Sequence, residues 1–419
     1  MFMQSTFYTF SFGCRVNEAE KIALDKKLLD MGCVWQEINP DFYIINSCAV
    51  TGKAEREVRQ HIYQIRKKYP KTKIIVTGCA ATNWIKNKNN VKGVDFLISN
   101  SEKQGIPSFI YKLSCHSGQR AGILHLRSRV PTSPPAGGFD GRGKPGMTIN
   151  IFQHDNVHDK FLASGRIMVK IQDGCDRFCS YCIVPYLRGK PKSIRIADII
   201  ETINTYPSSE GRYRTVSDEA RSMKTMHSSH PSGSNNKLNE VILTAINTEC
   251  FGKDTGETLI QLIDAVLKET LIPKISFGSI HPWSITNEFL SYYQSIIPTN
   301  RFIPFFHIPI QSGSNKILKL MNRGYTIEEI YRKLKELKGI NPDAFIGTDI
   351  IVGFPGETEK EFQKTYELLK STPIDKIHVF RYSPRPGTAA EKFRKIYGEP
   401  TAEEKRKRSK MILNINTNK

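Results

Sequence analysis

The chain has 419 residues, a length that allows two or three domains, each with an ample hydrophobic core. A hydrophobic content of 39% without any apolar run near ~18 residues argues against a membrane-spanning helix, and the N-terminal residues lack the pattern of an export signal. The 61 basic residues against 41 acidic ones give a net charge of +20, which favours a polyanionic partner such as nucleic acid over a surface charged only for solubility.

The nine cysteines do not form the dense pattern of a small disulfide-bonded scaffold. Without an export signal, we expect a reducing compartment, the cytoplasm, and no membrane partner. Clustered cysteines there bind metal more often than they form disulfides. The groups of cysteines are therefore candidates for metal sites.

The first 112 residues alternate between strand and helix patterns, which predicts a domain built on a parallel α/β sheet. The strand segments are short and rich in β-branched and aromatic residues, whereas the helical segments carry apolar residues at helical spacing. The predicted strands are 6–13, 41–47, 73–78 and 94–99, and the predicted helices are 17–32 and 53–70.

Three cysteines of this region, Cys14, Cys48 and Cys79, each follow a predicted strand. Because the carboxyl ends of parallel strands meet at one edge of a sheet, the three thiols are expected to converge there as a metal site. The alternative is three unrelated buried cysteines, a common role for single cysteines. Cys33 does not end a strand and is predicted to pack in the interior.

Two stretches interrupt the alternation of strands and helices. Residues 113–164 include a segment rich in Pro and Gly and are predicted to form a linker or surface insertion. Residues 206–237 are polar and are predicted to be a disordered insertion, because so few apolar side chains cannot stabilise a core.

The most informative segment is DGCDRFCSYCIVPYLRGK, residues 173–190, in which Cys175, Cys179 and Cys182 have the spacing C-x3-C-x2-C. Three thiolates at this spacing can ligate three irons of a cubane cluster and leave the fourth iron open to another ligand. A tetrahedral zinc site would need a fourth protein ligand, and no His or Cys follows within a few residues. A chance trio of structural cysteines is the remaining alternative.

The second domain is predicted to span residues 165–400. Its strand at 166–173 delivers the cysteine loop, and six strand–helix units predict an open partial (βα)6 barrel rather than a full eight-fold barrel. Arg188, at the end of the loop, meets a cofactor carboxylate, a substrate phosphate or only solvent. Residues 401–419 are predicted to be a basic C-terminal tail.

The cysteine spacing, with the aromatic Tyr181 before the last cysteine, resembles the radical S-adenosylmethionine (SAM) superfamily. The phrase CSYCIVPYLRGK, the three upstream cysteines, and the phrases HIPIQSGS and IVGFPGET resemble one branch, the tRNA methylthiotransferases. GCRVN at 13–17 and SCAVT at 47–51 look most like the threonylcarbamoyladenosine branch. The resemblance covers nearly the whole chain apart from the two insertions and a C-terminal end.

This resemblance implies two [4Fe-4S] clusters, with SAM bound at the open iron of the cluster on Cys175, Cys179 and Cys182. The same cysteines would thereby serve the radical chemistry, and an auxiliary cluster on the three upstream cysteines would supply the methylated sulfur. The implied reaction adds a methylthio group to C2 of N6-threonylcarbamoyladenosine in tRNA. A flavodoxin- or ferredoxin-like electron donor and a monomeric chain complete the expectation. Family members generally continue into a small RNA-binding TRAM-type β-barrel, which we expect to be absent here.

Resemblance and position at strand ends also identify Asn247, Gln311, Ser312 and Asp349, together with Arg188, as SAM-pocket residues. Ala245 stands where the family usually has Gly, which puts the close approach of the backbone to the cofactor in question. Residues 321–323, Met-Asn-Arg, form either a substrate-facing turn or a plain helix surface.

Two other classes of function remain open from the sequence. One is a methylthiotransferase with another target, either isopentenyladenosine in tRNA or a protein side chain. The other is a non-catalytic iron–sulfur protein that binds RNA. Production of 5′-deoxyadenosine separates catalysis from binding, and nucleoside analysis separates the targets.

Anaerobically reconstituted protein is expected to contain about eight irons per chain, since two cubanes would each be held by three thiolates. Iron and zinc analysis of the purified protein measures this. About four irons with zinc in place of the remainder would contradict an auxiliary iron–sulfur cluster.

Overall fold

The computed structural model describes residues 5–115, 165–206 and 238–417, and these residues divide into two units. The first unit contains residues 5–49 and 53–115, and the second contains residues 50–52 and the described residues from 165 onward. Most of the predicted linker 113–164 and all of the predicted insertion except Tyr206 lie outside the described residues.

The first unit is built on a parallel sheet with the strand order β2-β1-β3-β4-β5. The short strand β2 was missed by the sequence analysis, since two residues are too few to produce a pattern. Helix α4 reaches Cys115, beyond the predicted domain end at 112. The strands are β1 Thr6–Ser11, β2 Val34–Trp35, β3 Phe42–Ser47, β4 Lys73–Thr77 and β5 Phe96–Leu97, and the helices are α1 Arg15–Asp30, α2 Gly52–Lys68, α3 Gly78–Lys86 and α4 Ile106–Cys115.

The pattern of buried residues explains why β3 is the central strand and why α2 packs with one face inward. All six residues of β3 are buried, as expected for the central strand of a sheet covered on both faces. Helix α2 buries Val58, Ile62 and Ile65, which lie on one face at helical spacing, while its last turn is basic. The parallel α/β fold predicted for this region is therefore confirmed.

The second unit contains six parallel strands in chain order, in agreement with the predicted partial barrel. A bridge between Ile275 and Phe302 joins the two sheets into which these strands divide, and the short strand β7 is antiparallel to β6. The strands are β6 Arg166–Asp173, β7 Lys192–Ser193, β8 Glu240–Ala245, β9 Lys274–Phe277, β10 Phe305–His307, β11 Phe345–Val352 and β12 Lys376–Arg381.

Helices cover the outer face of this barrel and share one hydrophobic core with the outward-facing residues of the strands. Ile346, Ile350 and Val352 of β11 belong to this core, so Asp349 and the other alternate residues face the opposite side, the barrel interior. The helices are α5 Val184–Arg188, α6 Ile196–Asn204, α7 Leu259–Glu269, α8 Asn287–Ile296, α9 Asn315–Leu320, α10 Ile327–Ile340, α11 Glu359–Ser371, α12 Ala389–Tyr397 and α13 Ala402–Thr417.

Residues 401–419 were predicted to be a basic tail of helical character, and the described part forms helix α13, whose packing the sequence did not indicate. Helix α13 packs on the barrel, and its Ile412 and Ile415 are buried in the main core. The buried Arg408 donates from Nη1 to Oε2 of Glu357 over 2.8 Å. The high content of Lys and Arg concealed this buried face, because two of its four buried residues are the basic Lys405 and Arg408, which weakens the periodic apolar signal.

Among the described residues, no helix combines the length and the apolar character that crossing a bilayer requires.

Arg408→Met is expected to destabilise the second unit by about 3–5 kcal/mol, because it leaves the buried Glu357 carboxylate without its charged partner. Lys407→Met, at the exposed neighbouring position of the same helix, is the control. Thermal unfolding followed by circular dichroism compares the two variants. Equal melting temperatures would show that apolar contacts alone hold the helix.

Candidate functional site

The loop that carries Cys175, Cys179 and Cys182 is closed at its base. Gly174 has a φ of +72°, and a Cβ at this position would lie 2.1 Å from the carbonyl oxygen of Lys190. The backbone N–H of Cys175 donates to the carbonyl oxygen of Gly189 over 3.1 Å. The two ends of the loop therefore lie against each other, and only glycine fits at the crossing point.

A turn between helices α9 and α10 holds the middle of the loop. The N–H of Ser180 donates to the carbonyl oxygen of Met321 over 3.0 Å. The side-chain amide of Asn322, whose φ is +57°, donates to the carbonyl oxygens of Arg177 and Phe178, both over 3.2 Å. Residues 321–323 are thus a turn rather than helix surface, and they support the cysteine loop.

Burial raises the pKa of two of the three thiols, Cys175 and Cys182. Burial, followed by the influence of Cys179, raises the pKa of Cys182 to about 12, and burial also raises the pKa of Cys175. Thiols of this kind stay protonated until a metal displaces the proton. Three cysteines on one closed loop suit a cluster that keeps one iron for an exogenous ligand.

Asn247 contacts this loop directly. It is almost fully buried, its Nδ2 lies 3.7 Å from Sγ of Cys175, and its backbone N–H donates to Oε1 of Gln172 over 2.9 Å. The same Nδ2 lies 3.1 Å from Sγ of Cys250, a buried thiol whose pKa burial and Asp176 raise to about 12. The predicted pocket residue Asn247 therefore stands beside one candidate cluster ligand.

Arg188 lies at the base of the loop with a side chain that is 1% exposed. Its Nη1 donates to Oδ1 of Asp173 over 2.8 Å, so its charge is paired with the carboxylate that ends β6. This pairing gives Arg188 a role in closing the loop. Its predicted role toward the cofactor stays a prediction.

Gln311 and Ser312 follow β10 but differ in their surroundings. Gln311 has a φ of +76°, and it links to β11 by accepting from the N–H of Ile351 and donating to the carbonyl oxygen of Asp349. Ser312 is 1% exposed, and its hydroxyl accepts from the N–H of Ser314 over 3.2 Å. The Ser312 side chain is thus used within the fold, and its predicted cofactor role stays untested.

Asp349 belongs to a polar group inside the barrel. Its Oδ1 lies 3.0 Å from Nε2 of His307 and 3.8 Å from Nδ1 of His378, on the two neighbouring strands. One ligand atom from each residue lies within 4.8 Å of the others, an arrangement that can hold a divalent ion. A separation of 3.0 Å between an imidazole nitrogen and a carboxylate oxygen also occurs without a metal, so the group does not require one.

In the first unit, contacts place the segments around Cys14, Cys48 and Cys79 side by side. A Cβ on Gly13 would lie 2.5 Å from Sγ of Cys48, so the Cys14 segment touches Cys48. A Cβ on Gly78 would lie 2.4 Å from the carbonyl oxygen of Ser47, so the Cys79 segment touches the residue before Cys48.

Side chains from α1 and the loop before α4 complete this edge of the sheet. The buried Asn17 donates to the carbonyl oxygens of Phe12 and Ser47 over 2.8 and 3.1 Å, which ties α1 to β3. Nδ2 of Asn100 lies 3.6 Å from Sγ of Cys79. The sequence analysis assigned no role to either asparagine: Asn17 stood in the phrase GCRVN, and the only signal for Asn100 was its position after a predicted strand. The arrangement fits a second three-thiol metal site.

Models of two known protein families match the two parts of the chain. Residues 6–99 match a family model described as an uncharacterized protein family, UPF0004, and residues 240–369 match the model of the radical SAM superfamily. Among solved structures, the cobalamin-dependent SAM radical enzyme OxsB superposes with a TM-score of 0.54 at 14% identity, covering 99% of this chain and 56% of OxsB. This likeness concerns the fold alone.

Several curated relatives extend over most of the chain. The threonylcarbamoyladenosine tRNA methylthiotransferases MtaB of Aquifex aeolicus and Thermotoga maritima are 30% and 31% identical, over 92% and 91% of this chain and 82% and 76% of the relatives. The tRNA-2-methylthio-N(6)-dimethylallyladenosine synthase of Thermosipho africanus is 33% identical, over 92% of this chain and 78% of the relative.

Fold and family models together define a radical SAM enzyme. The chain belongs to the radical SAM tRNA methylthiotransferases, which confirms the resemblance recognised in the sequence. It is therefore an enzyme that transfers a methylthio group and uses SAM and [4Fe-4S] clusters. The assignment of individual residues to these cofactors stays a prediction.

Gly78→Ala is expected to remove the second set of irons, lowering the content from about eight to about four per chain. The added Cβ would collide with Ser47 at a φ of +95°, which displaces Cys79 from its neighbours. Gly105→Ala, where a Cβ meets no atom within 4 Å, is the control. Iron analysis with circular dichroism distinguishes the two variants. A full iron content in folded Gly78→Ala would contradict the site.

Proposed function

We propose that this enzyme adds a methylthio group to C2 of N6-threonylcarbamoyladenosine in tRNA. The observation that carries the proposal is the identity of 30–31%, over about nine-tenths of the chain, with relatives named for that reaction. The phrases GCRVN and SCAVT, which contain the upstream cysteines Cys14 and Cys48, support the same branch. The net charge of +20 suits a polyanionic substrate.

We assign the two cofactor sites to the two cysteine sets. Cys175, Cys179 and Cys182 would hold the cluster that binds SAM, and Cys14, Cys48 and Cys79 would hold the auxiliary cluster. When bound, these groups supply the radical chemistry and the methylated sulfur, which no protein side chain can provide. The protein's contribution is to fix the thiols, to exclude water and to orient the substrate.

The residues near the first set have definable roles in this scheme. Asn247 and the closed base of the loop hold Cys175 in place. Asp349 contacts His307 on the inward-facing side of β11, and Gln311 pairs with β11 through its backbone; both would contact SAM or the nucleoside. A flavodoxin- or ferredoxin-like electron donor, a monomeric chain and a cytoplasmic location belong to the same proposal.

The second candidate is methylthiolation of dimethylallyladenosine, that is, isopentenyladenosine, in tRNA. A specific observation favours it, since the Thermosipho africanus relative named for that product is 33% identical. Identity values this close do not separate substrates, because substrate choice depends on a few pocket residues. The short phrases around Cys14 and Cys48 favour the first candidate.

Nucleoside mass spectrometry of tRNA from cells with and without this chain tests the choice directly. We expect loss of the methylthio derivative of threonylcarbamoyladenosine in cells that lack the chain, with dimethylallyladenosine derivatives unchanged. The reverse pattern would select the second candidate. No change in either nucleoside would contradict both.

Cys48→Ala is expected to abolish methylthiolation while 5′-deoxyadenosine is still formed, since only the auxiliary site loses a ligand. Cys179→Ala is expected to abolish both products, because the SAM-binding cluster is lost. The control is Cys33→Ala, whose half-buried side chain packs beside the core of the first unit and should leave both products present. Liquid chromatography of a single reaction measures both compounds. Methylthiolated product from Cys48→Ala would refute the auxiliary site.

A further inference from the structure

Arg323 stands out among the buried residues because its guanidinium group faces a candidate cluster ligand. The residue is 6% exposed, and Nη1 lies 3.2 Å from Sγ of Cys179. The contact joins residues 144 positions apart in the sequence.

Three further contacts fix the orientation of the guanidinium group. Nη2 donates to the carbonyl oxygen of Pro309 over 3.0 Å, and Nε donates to the hydroxyl of Tyr325 over 2.9 Å. The Tyr325 hydroxyl in turn donates to the carbonyl oxygen of Ile310 over 2.8 Å. The centre of the guanidinium group also lies 4.3 Å from the centroid of the Trp283 ring. Neutral groups therefore hold the guanidinium cation, and its Nη1 donates to the sulfur of Cys179.

Arg177 provides an internal comparison. Its guanidinium group lies 4.4 Å from the same Trp283 ring, but two of its nitrogens contact Glu249 over 2.5 and 2.7 Å. The charge of Arg177 is thus compensated by a carboxylate. Arg177 is itself part of the cysteine loop, and its backbone N–H contacts Cys175, but of the two guanidinium groups only that of Arg323 donates to a thiol of the C-x3-C-x2-C set.

We propose that Arg323 is a positioning residue that raises the reduction potential of the SAM-binding cluster through its hydrogen bond to Cys179. A reduced cluster carries one more negative charge than an oxidised one, so a buried cation and a donor to sulfur stabilise the reduced form. The electron comes from an external low-potential donor, and no bond to Arg323 forms or breaks. The inference rests on a cluster at Cys175, Cys179 and Cys182, and it does not depend on which nucleoside is modified.

The test is a potentiometric titration followed by electron paramagnetic resonance, with sodium dithionite as reductant. It uses the full-length chain with Cys48→Ala, which leaves one cluster to observe. In Arg323→Met we expect the ratio of reduced to oxidised cluster at a fixed potential to fall about tenfold. This ratio corresponds to a midpoint about 59 mV more negative. Arg323→Lys, which keeps the charge but not the planar group, is expected to shift less.

Arg177→Met is the matched control and is expected to leave the midpoint unchanged, because Glu249 keeps Lys253 as a partner. An unchanged midpoint in iron-loaded Arg323→Met would overturn the proposal. Equal shifts in the Arg323 and Arg177 variants would also overturn it, by assigning the effect to charge in general.

Iron content is measured first, because Arg323→Met also removes a support of the loop. If that variant loses iron, Arg323→Lys and Arg323→Gln take its place in the titration, one keeping the charge and the other an uncharged donor. Loss of iron from all three variants would show that Arg323 holds the loop together rather than tuning its cluster, and the proposal would fail. None of these measurements uses tRNA, so their outcome is separate from that of the proposed function.

Discussion

Parallel pairing of the strands is the constraint on which both candidate sites depend. In a parallel sheet, the carboxyl ends of all strands open on the same edge, so residues distant in sequence meet there. The first unit brings Cys14, Cys48 and Cys79 to such an edge, and the contacts of Gly13 and Gly78 show how closely their segments approach. The second unit delivers the C-x3-C-x2-C loop from the end of β6. The chain thus uses one geometric rule twice.

Local features of both sites could be read from the sequence. The loop at 173–190, the strand before each upstream cysteine and the six-unit barrel all depend on short-range spacing and periodicity. The docking of α13 could not be read in this way, because the contact of Arg408 with Glu357 is set by tertiary packing rather than by local pattern. The sequence left a turn and a helix surface as alternatives for residues 321–323, because the contacts with the cysteine loop that stabilise the turn are tertiary.

Backbone conformation adds information that residue types do not carry. Phe178, Gln311 and Asn322 have φ values of +45°, +76° and +57°. Residues other than glycine seldom adopt a positive φ, and each such conformation costs about 1–3 kcal/mol of folding free energy when surrounding contacts impose it. Phe178 lies in the cysteine loop and Asn322 contacts it, whereas Gln311 follows β10. Two such conformations therefore occur at the cysteine loop, and the contacts of Asn322 with the carbonyl oxygens of Arg177 and Phe178 hold them there.

The contact between Arg323 and Cys179 also bears on the order in which the protein assembles. A contact that spans 144 residues can form only after the two segments that carry it have come together. The cysteine loop can close locally at its base, but its central support arrives only when β10 and the turn after α9 have joined the barrel. A cluster inserted before that moment would lie in a half-open loop accessible to water and oxygen. Cluster insertion is thus best timed after the barrel has closed, and slow barrel closure would prolong the period in which the thiols are exposed to oxidation.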